Sequence, residues 1–439
     1  MYKFLYNSIL ASLSVSQLHQ SRKNNNPNTL RDHFDALRNR IQCNRIFLVG
    51  LILALTISAL VFAGIGAKNA LSPVGSHDFQ WTPTRDYIAG VSPYSDFLSW
   101  KAEGNKHTPP HFLNQSPSYP ASVYVLLTPF GHLDWPTAKL IWLCINLVLI
   151  SLLLWGLQKL YPLKSPLVFT LVALLFLCST PLRTSLGAGQ LNFLSLAAFV
   201  WAYYFVSTNI YLNSKIAGVL LALAWVKYSL TFPLTLLFIY RGKWQPIIVA
   251  SLIHAMLTVT AAIQIDMWPH EFFFNSVEVV LMGDGTGFLN LVALSMTLNL
   301  PMALAVSAIV AASTFVLWLL PRLSTTDDLL LMTFLGLFSC AVFYHHGYDF
   351  IVLLLCAWAI ARNQLQGLQA FAAASLLILA WGGQWLVYEL APLIGPAGLI
   401  STQIVDNLLV VTFYCTLALV WASLYNARNK TPAVIALSF

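Results

Sequence analysis

Apolar residues fill the chain in repeated blocks of about 20 residues that short polar stretches separate. Blocks of this length predict helices that cross a bilayer, because about 20 helical residues span its hydrocarbon core. The pattern predicts twelve spanning helices. Their ranges are 46–63, 137–158, 166–182, 188–207, 215–227, 229–240, 245–265, 302–320, 329–343, 350–361, 367–388 and 403–425.

Three parts of this pattern are irregular. The blocks 215–227 and 229–240 are short and meet at Lys227-Tyr228-Ser229, which predicts a tight hairpin of short helices. The apolar stretches Tyr119–Phe130 and Phe288–Leu300 are too short to span and are expected to be re-entrant or interfacial. The first block follows 45 mostly polar residues, too long a lead for a cleaved signal peptide, which predicts a retained anchor.

Composition supports a membrane protein. The 439 residues are 58% hydrophobic and 9% charged, whereas soluble proteins carry about 25% charged residues. We therefore predict an all-α, polytopic bundle of about 12 transmembrane helices. Its parts are a cytoplasmic N-terminal extension at 1–45, a transmembrane domain at 46–425 with a long outer loop at 67–118, and a cytoplasmic tail at 426–439.

Charge predicts the orientation. With twelve spans and the N-terminus in the cytoplasm, most of the 23 Lys and Arg residues fall inside, as the positive-inside rule requires. The net charge of +7 is thus explained without a nucleic-acid partner. The six cysteines form no Cys-x-x-Cys pair, so neither a zinc site nor a disulfide framework is predicted.

The same threading brings five polar features to the outer side. Together they suggest a site at the membrane surface. They are Asp78 with Arg85; Arg183; Gln190 with Asn192 after two glycines; Lys227; and the segment Tyr344-His345-His346-Gly347-Tyr348-Asp349.

Lys227 is the most informative of these residues because a lysine at the bilayer centre costs about 2.5–3.5 kcal/mol to insert. It is interpreted either as a cation for a phosphate or as an interfacial lysine that snorkels to water. Arg183 offers a bidentate phosphate contact or is an ordinary interfacial arginine.

The amides and histidines each have a second interpretation as well. Gln190 and Asn192 either hydrogen-bond sugar hydroxyls or cap a helix. His345 and His346 either bind a phosphate or a hydroxyl or are plain interfacial residues, and their spacing to Asp349 matches no strong metal motif.

The carboxylates of the first outer loop remain equivalent on these grounds. Asp78, Asp86 and Asp96 all fall in this loop, and each is either a base or a solvated side chain.

The first loop contains a spaced motif: Asp78-Phe79, seven residues, Tyr87, then Ala89-Gly90-x-x-Pro93-Tyr94. This motif resembles the first-loop motif of glycosyltransferase family 87. The further matches span about residues 70–355 in order. They are Tyr119-Pro120 with Leu126–Pro129, Gly189-Gln190-x-Asn192, Ala217-Gly218 leading to Trp225-x-Lys227 and Pro233, and Tyr344-His345-His346 with Tyr348-Asp349.

The resemblance implies a GT-C-class transferase that uses a polyprenyl-phosphate sugar at the outer, extracytoplasmic face of a plasma or bacterial inner membrane. The family includes polyprenol-phosphate-mannose-dependent mannosyltransferases, so mannose is the expected hexose and a glycolipid or glycan the expected acceptor. Neither a cofactor nor a metal is implied. The resemblance implies that Asp78 is the base and that Lys227 and Tyr344–His346 line the donor site.

The remaining candidates extend this site. Arg183, His345 and His346 are expected near the donor phosphate with Lys227. Arg85, Tyr94, Gln190, Asn192, Tyr344 and Asp349 are expected near the sugar or acceptor.

Two departures from the family pattern leave sugar and acceptor open. Ser118-Tyr119-Pro120-Ala121 stands where many members have Tyr-x-Tyr-Pro-Pro, and Cys340–Phe343 stands where many have Ser-Pro-x-Ser-Trp. Two other classes remain alternatives. A transporter or lipid-linked sugar flippase also has about twelve spans and intramembrane charge, and a non-catalytic scaffold is the third interpretation.

Overall fold

The structure is a computed structural model that describes residues 27–72, 79–103, 116–207, 211–281, 302–319, 327–343, 345–383, 408–422 and 424. Within these ranges every long regular element is a helix. The helices are α1 (Pro27–Leu71), α2 (Trp81–Ile88), α3 (Pro93–Ala102), α4 (Ala121–Gly131), α5 (Trp135–Leu160), α6 (Pro166–Leu177), α7 (Thr180–Ala188), α8 (Asn192–Ser207), α9 (Tyr211–Ala224), α10 (Tyr228–Tyr240), α11 (Trp244–Ile265), α12 (Pro269–Leu281), α13 (Met302–Leu319), α14 (Asp328–Val342), α15 (Leu354–Ala361), α16 (Gly367–Ile378) and α17 (Leu408–Ala422). Short 3-10 segments cover Trp225–Lys227 and Gly347–Leu353, and a π-helical turn covers Leu379–Gly383.

Among the described residues, four helical segments are long and apolar enough to cross a membrane. They are Ile46–Leu71, Trp135–Leu160, Asn213–Tyr240 and Trp244–Ile265, and a bent pair makes up to five. Six shorter apolar helices accompany them. The all-helical membrane protein is therefore confirmed, whereas the count of twelve spans stays a prediction. The stretch Phe288–Leu300 lies outside the described residues.

The segment Asn213–Tyr240 folds back on itself at Lys227. The indole N–H of Trp225 donates to Thr235 Oγ1 at 2.9 Å. Ten residues of straight helix would separate this pair by about 15 Å. Lys227 leaves helical geometry, with φ −116° and ψ 74°. The short hairpin predicted around Lys227 is therefore present.

A polar cluster closes the end of this hairpin far from Lys227. Asp328, at the start of α14, accepts hydrogen bonds from Arg241 Nε at 2.8 Å and Tyr203 O–H at 2.5 Å. Tyr203 lies two turns along α8 from Ser195, which contacts Lys227. Lys227 and Arg241 are thus at opposite ends of the bundle.

The predicted span 166–182 is wrong in its boundaries. The chain bends by 55° between α6 and α7, so that α7 is a separate helix that runs to Ala188. The bend has a local cause. Ser179 Oγ accepts the backbone N–H of Leu182, and Pro181 occupies the first turn, which together start a new helix.

The segment predicted as the first outer loop contains two helices, α2 and α3, and begins later than residue 67 because α1 continues to Leu71. Its aromatic side chains Phe79, Trp81 and Tyr94 form one buried cluster with Tyr124 of α4 and Trp142 of α5. Leu191 and Val226 belong to the same cluster. These two residues adjoin Gln190 and Lys227, so the loop packs directly on the predicted site.

Candidate functional site

Lys227 is held at the turn of the hairpin by its backbone. The Lys227 N–H donates to Ser195 Oγ at 3.0 Å, and the Ser195 hydroxyl donates in turn to Ala224 O at 2.7 Å. Both Lys227 and Ser195 are buried. The carbonyl of Ala224 at the end of α9 and the N–H of Lys227 after the break thus both have hydrogen-bond partners. The break is therefore a stable part of the fold and not a frayed helix end.

The Lys227 ammonium group has three neighbours. Nζ lies 2.6 Å from Asp349 Oδ1, donates to Gln190 Oε1 at 2.9 Å, and lies 4.7 Å from the centre of the Tyr348 ring. The side chain of Lys227 is 8% exposed and that of Asp349 is 2% exposed. A buried charge needs such partners to be stable. Lys227 is therefore a buried cation paired with protein groups and does not snorkel to water.

Asp349 joins two segments of the site, its own and the turn of the hairpin. Its Oδ2 atom accepts from His345 Nδ1 at 3.0 Å and from the His346 backbone N–H at 3.2 Å. Its Oδ1 atom forms the ion pair with Lys227 Nζ. The Asp349 carboxylate thus links the Lys227 ammonium group to the His345–His346 segment.

His345 reaches a residue that the sequence analysis missed. Its Nε2 atom lies 3.1 Å from Ser339 Oγ on α14, and both side chains are buried. A single serine inside an apolar helix gives no signal in a sequence. Only the approach of α14 to α10, where Ser339 also contacts Ser229 O at 2.6 Å, shows its place.

A chain of hydrogen bonds links the first loop to Lys227. The Tyr94 O–H donates to Tyr119 O at 2.5 Å, and the Tyr119 O–H donates to Gln190 Oε1 at 3.2 Å. Trp142 Nε1 donates to Gly189 O at 2.8 Å and fixes the turn before Gln190. Tyr94 is fully buried, and its role in the structure is to donate the first hydrogen bond of this chain.

Asn192 lies on the other side of the same turn. Its Nδ2 donates to Ser185 Oγ at 2.8 Å and to Tyr348 O at 3.1 Å. Its Oδ1 atom is buried and accepts no hydrogen bond from the described residues. A buried acceptor without a donor is uncommon in proteins, and it suits a ligand hydroxyl.

Asp78 and Tyr344 lie outside the described residues, but the flanks of Asp78 are described. Lys139 Nζ donates to Leu71 O at 3.1 Å and to Ser72 O at 2.6 Å. Phe79 is buried and stacks on Trp142, with ring centres 4.9 Å apart. Lys139 and Trp142 are both on α5, so one helix holds both sides of the segment that contains Asp78.

The remaining predicted residues lie in other contacts. The Arg85 guanidinium lies over the Trp81 ring at 4.9 Å, and that of Arg183 lies over the Phe62 ring at 5.5 Å. His346 packs on Tyr348 with ring centres 5.0 Å apart. The structure thus brings Lys227, Gln190, His345 and Asp349 into direct contact with one another or with a shared partner, and holds Arg85 and Arg183 against aromatic rings.

Asp86, the competing carboxylate on α2, is a pH-sensitive position. Burial, followed by the nearby negative charge of Asp96, raises its pKa to about 6, while Arg85 acts in the opposite direction. A raised acid pKa means that the fold favours the protonated form. The stabilisation that Asp86 gives the fold in its protonated form is therefore complete below pH 3.8, the pKa in the unfolded chain. It is lost as the pH rises through about 6, the pKa in the folded protein.

We expect Asp86→Asn to raise the unfolding temperature relative to the native protein at pH 8. The difference should shrink between pH 7 and pH 5, where native Asp86 takes up its proton. Thermal unfolding in detergent across this range measures it. Asp266→Asn, at an exposed carboxylate, is the matched control and should show no such pH trend. A pH-independent difference at Asp86 would contradict the assignment.

Comparison with known proteins gives one match. The model of glycosyltransferase family 87 matches residues 118–379, more than half of the chain, which includes Lys227, His345 and Asp349 but not Asp78. No curated protein and no solved structure gave a match. The matched range contains Lys227, Gln190, His345 and Asp349 together with the apolar helices that carry them. On this evidence the chain belongs to glycosyltransferase family 87, a family of membrane glycosyltransferases.

Proposed function

We propose that the protein transfers a hexose, with mannose the expected sugar, from a polyprenyl-phosphate donor to an acceptor hydroxyl at the extracytoplasmic side of the membrane. The observation that supports this most strongly is the buried Lys227 ammonium group, set at one end of an apolar bundle and held there by the Asp349 carboxylate and the Gln190 amide. A lipid-linked donor would present its phosphate at that level while its chain stays in the bilayer. The termini would lie in the cytoplasm.

The proposed reaction is a single displacement. The acceptor oxygen forms a bond to the anomeric carbon as the bond from that carbon to the phosphate oxygen breaks, and the electron pair leaves on the phosphate. Asp78 takes the proton of the acceptor hydroxyl as general base. The anomeric configuration inverts, because attack and departure occur on opposite faces.

Lys227 would stabilise the leaving group. The donor phosphodiester carries one negative charge, and the released polyprenyl phosphate carries more, so negative charge grows on the phosphate along the reaction. A preorganised cation in a dry site stabilises this growing charge more than the charge of the bound donor. Arg183 and the His345–His346 pair are the further phosphate-site candidates on the same side of the bundle.

The amide groups would serve the sugar. Asn192 Oδ1 is a buried acceptor without a donor among the described residues and matches a sugar hydroxyl. Gln190 places its oxygen on Lys227 and so sits between phosphate and sugar. Arg85, Tyr94, Tyr344 and Asp349 complete the proposed substrate-binding set, with Tyr94 and Asp349 acting through the contacts described above.

The test is a transfer assay with purified protein in lipid or detergent. Labelled polyprenyl-phosphate mannose, glucose and galactose are each offered with a mixture of glycolipid acceptors. Label that moves covalently to an acceptor supports the proposal, and the preferred donor identifies the sugar. Counterflow of a lipid-linked sugar across vesicles without a covalent product would instead favour the flippase alternative and overturn the transferase.

A positional prediction concerns Lys139, which holds the two carbonyls that precede the Asp78 segment. Basic groups at a helix C-terminus stabilise it by about 0.3–1 kcal/mol, and more when partly buried. We expect Lys139→Met to lower kcat roughly twofold to tenfold, because the loop carrying Asp78 loses its attachment. The donor KM should change little. Lys159→Met, at an exposed lysine of the same helix, should leave both constants unchanged.

A further inference from the structure

Ser339 connects the hairpin to the residues around Lys227, because it bonds a hairpin carbonyl that Pro233 leaves without a donor and also contacts His345. Pro233 lies inside α10 and has no N–H, so the carbonyl of Ser229, four residues earlier, lacks its helical donor. The Ser339 hydroxyl lies 2.6 Å from that carbonyl oxygen and 3.2 Å from the next, Leu230 O. A serine hydroxyl has a single proton. That proton is therefore committed to the carbonyl that Pro233 leaves open.

The consequence falls on His345. With its proton directed to Ser229 O, Ser339 Oγ presents only lone pairs to His345 Nε2 at 3.1 Å. The contact is a hydrogen bond only if Nε2 carries a proton and donates it. On the opposite edge of the ring, Nδ1 lies 3.0 Å from Asp349 Oδ2, which also requires a donor. Both ring nitrogens thus donate to protein acceptors.

We propose that Ser339 is a positioning residue for the transfer reaction: it fixes the His345 ring so that His345 holds Asp349, and Asp349 holds Lys227 against the donor phosphate. This rests on the proposed function of Lys227. Of the phosphate-site candidates proposed above, His345 then acts through Asp349 and not by touching the donor, because both of its ring nitrogens have protein partners. The link from Pro233 to Lys227 makes the position of the Lys227 ammonium group depend on the proline inside α10.

The charged and titratable groups around His345 come from each packed element. The break between α9 and α10 contributes Lys227, α14 contributes Cys340, and the segment of His345 itself contributes Asp349. Arg183 stands on α7, which packs against the same segment. Asp349 is the one acid in this set, and it accepts the Nδ1 proton while the Ser339 hydroxyl oxygen accepts the Nε2 proton.

The test uses two variants that separate two roles of one hydroxyl. Ser339→Ala removes both the donor to Ser229 O and the acceptor for His345. We expect kcat for the donor to fall roughly tenfold or more, as for loss of a hydrogen bond to a charged group, with a smaller rise in donor KM. The double variant Pro233→Ala with Ser339→Ala gives Ser229 O a backbone donor again. It should regain thermal stability but not kcat.

Recovery of kcat in the double variant would overturn the proposal, because Ser339 would then only satisfy a carbonyl. Thr333→Ala, a buried hydroxyl of the same helix that bonds Leu329 O, is the control and should leave donor kinetics unchanged. Nitrogen-15 spectra of histidine-labelled protein, assigned with His345→Asn, should show protons on both ring nitrogens in the native protein. In Ser339→Ala the Nε2 signal should shift.

The spectra also separate the two proposals. If the native protein transfers no sugar, the proposed function fails, while doubly protonated His345 coupled to Ser339 still supports the hydrogen-bond arrangement. If transfer occurs but the native spectrum shows Nε2 without a proton, the positioning role fails and the function stands.

Discussion

Asp78→Asn is expected to lower kcat by about a hundredfold to ten-thousandfold, the usual contribution of a general base, with the donor KM nearly unchanged. The asparagine has almost the same shape but does not accept the proton of the acceptor hydroxyl. Stability should change little, because the flanking contacts, Lys139 to Ser72 and Phe79 to Trp142, do not involve this carboxylate. Steady-state transfer from a labelled donor measures the effect.

The other carboxylates of the loop supply matched controls. Asp96 is exposed and Asp86 is half-buried on α2. Asp96→Asn and Asp86→Asn should each retain transfer within a few fold at neutral pH. If Asp78→Asn keeps full activity while Asp86→Asn loses it, the base is Asp86, and the resemblance in the first loop has pointed to the wrong acid.

The sequence could reveal those residues whose insertion into a membrane costs free energy. Lys227 stood out because an intramembrane lysine needs a reason, and the structure supplies it in Asp349 and Gln190. Periodic apolar blocks likewise indicated the helical membrane fold. The hairpin followed from the two short apolar blocks that meet at the same lysine.

Partners that are common residues were invisible. Ser339 and Ser195 are ordinary components of apolar stretches, and only the packing of separate helices gives them a role. The bend between α6 and α7 was missed for a different reason. Hydropathy continues across Ser179, while the helix start there depends on its side chain and Pro181. The choice of Asp78 over other acids still depends on the family resemblance alone.

Lys227→Met is expected to remove both activity and stability. Breaking a buried ion pair by deleting one partner costs about 3–5 kcal/mol, because the remaining charge stays buried. His345 and the His346 N–H still contact Asp349, so the loss should lie toward the lower end. Transfer should become undetectable, because the negative charge that grows on the leaving phosphate loses the Lys227 ammonium group. Unfolding in detergent and the transfer assay measure the two effects.

A second substitution separates these effects. Asp349→Asn, combined with Lys227→Met, removes the stranded carboxylate, so the double variant should recover much of the lost stability. It should remain inactive, because the growing charge on the phosphate still has no cation. Lys164→Met, at an exposed lysine, should alter neither property. Transfer by the stable double variant at the native rate would show that Lys227 serves the fold alone, and the leaving group would then need another cation, with Arg183 the first to examine.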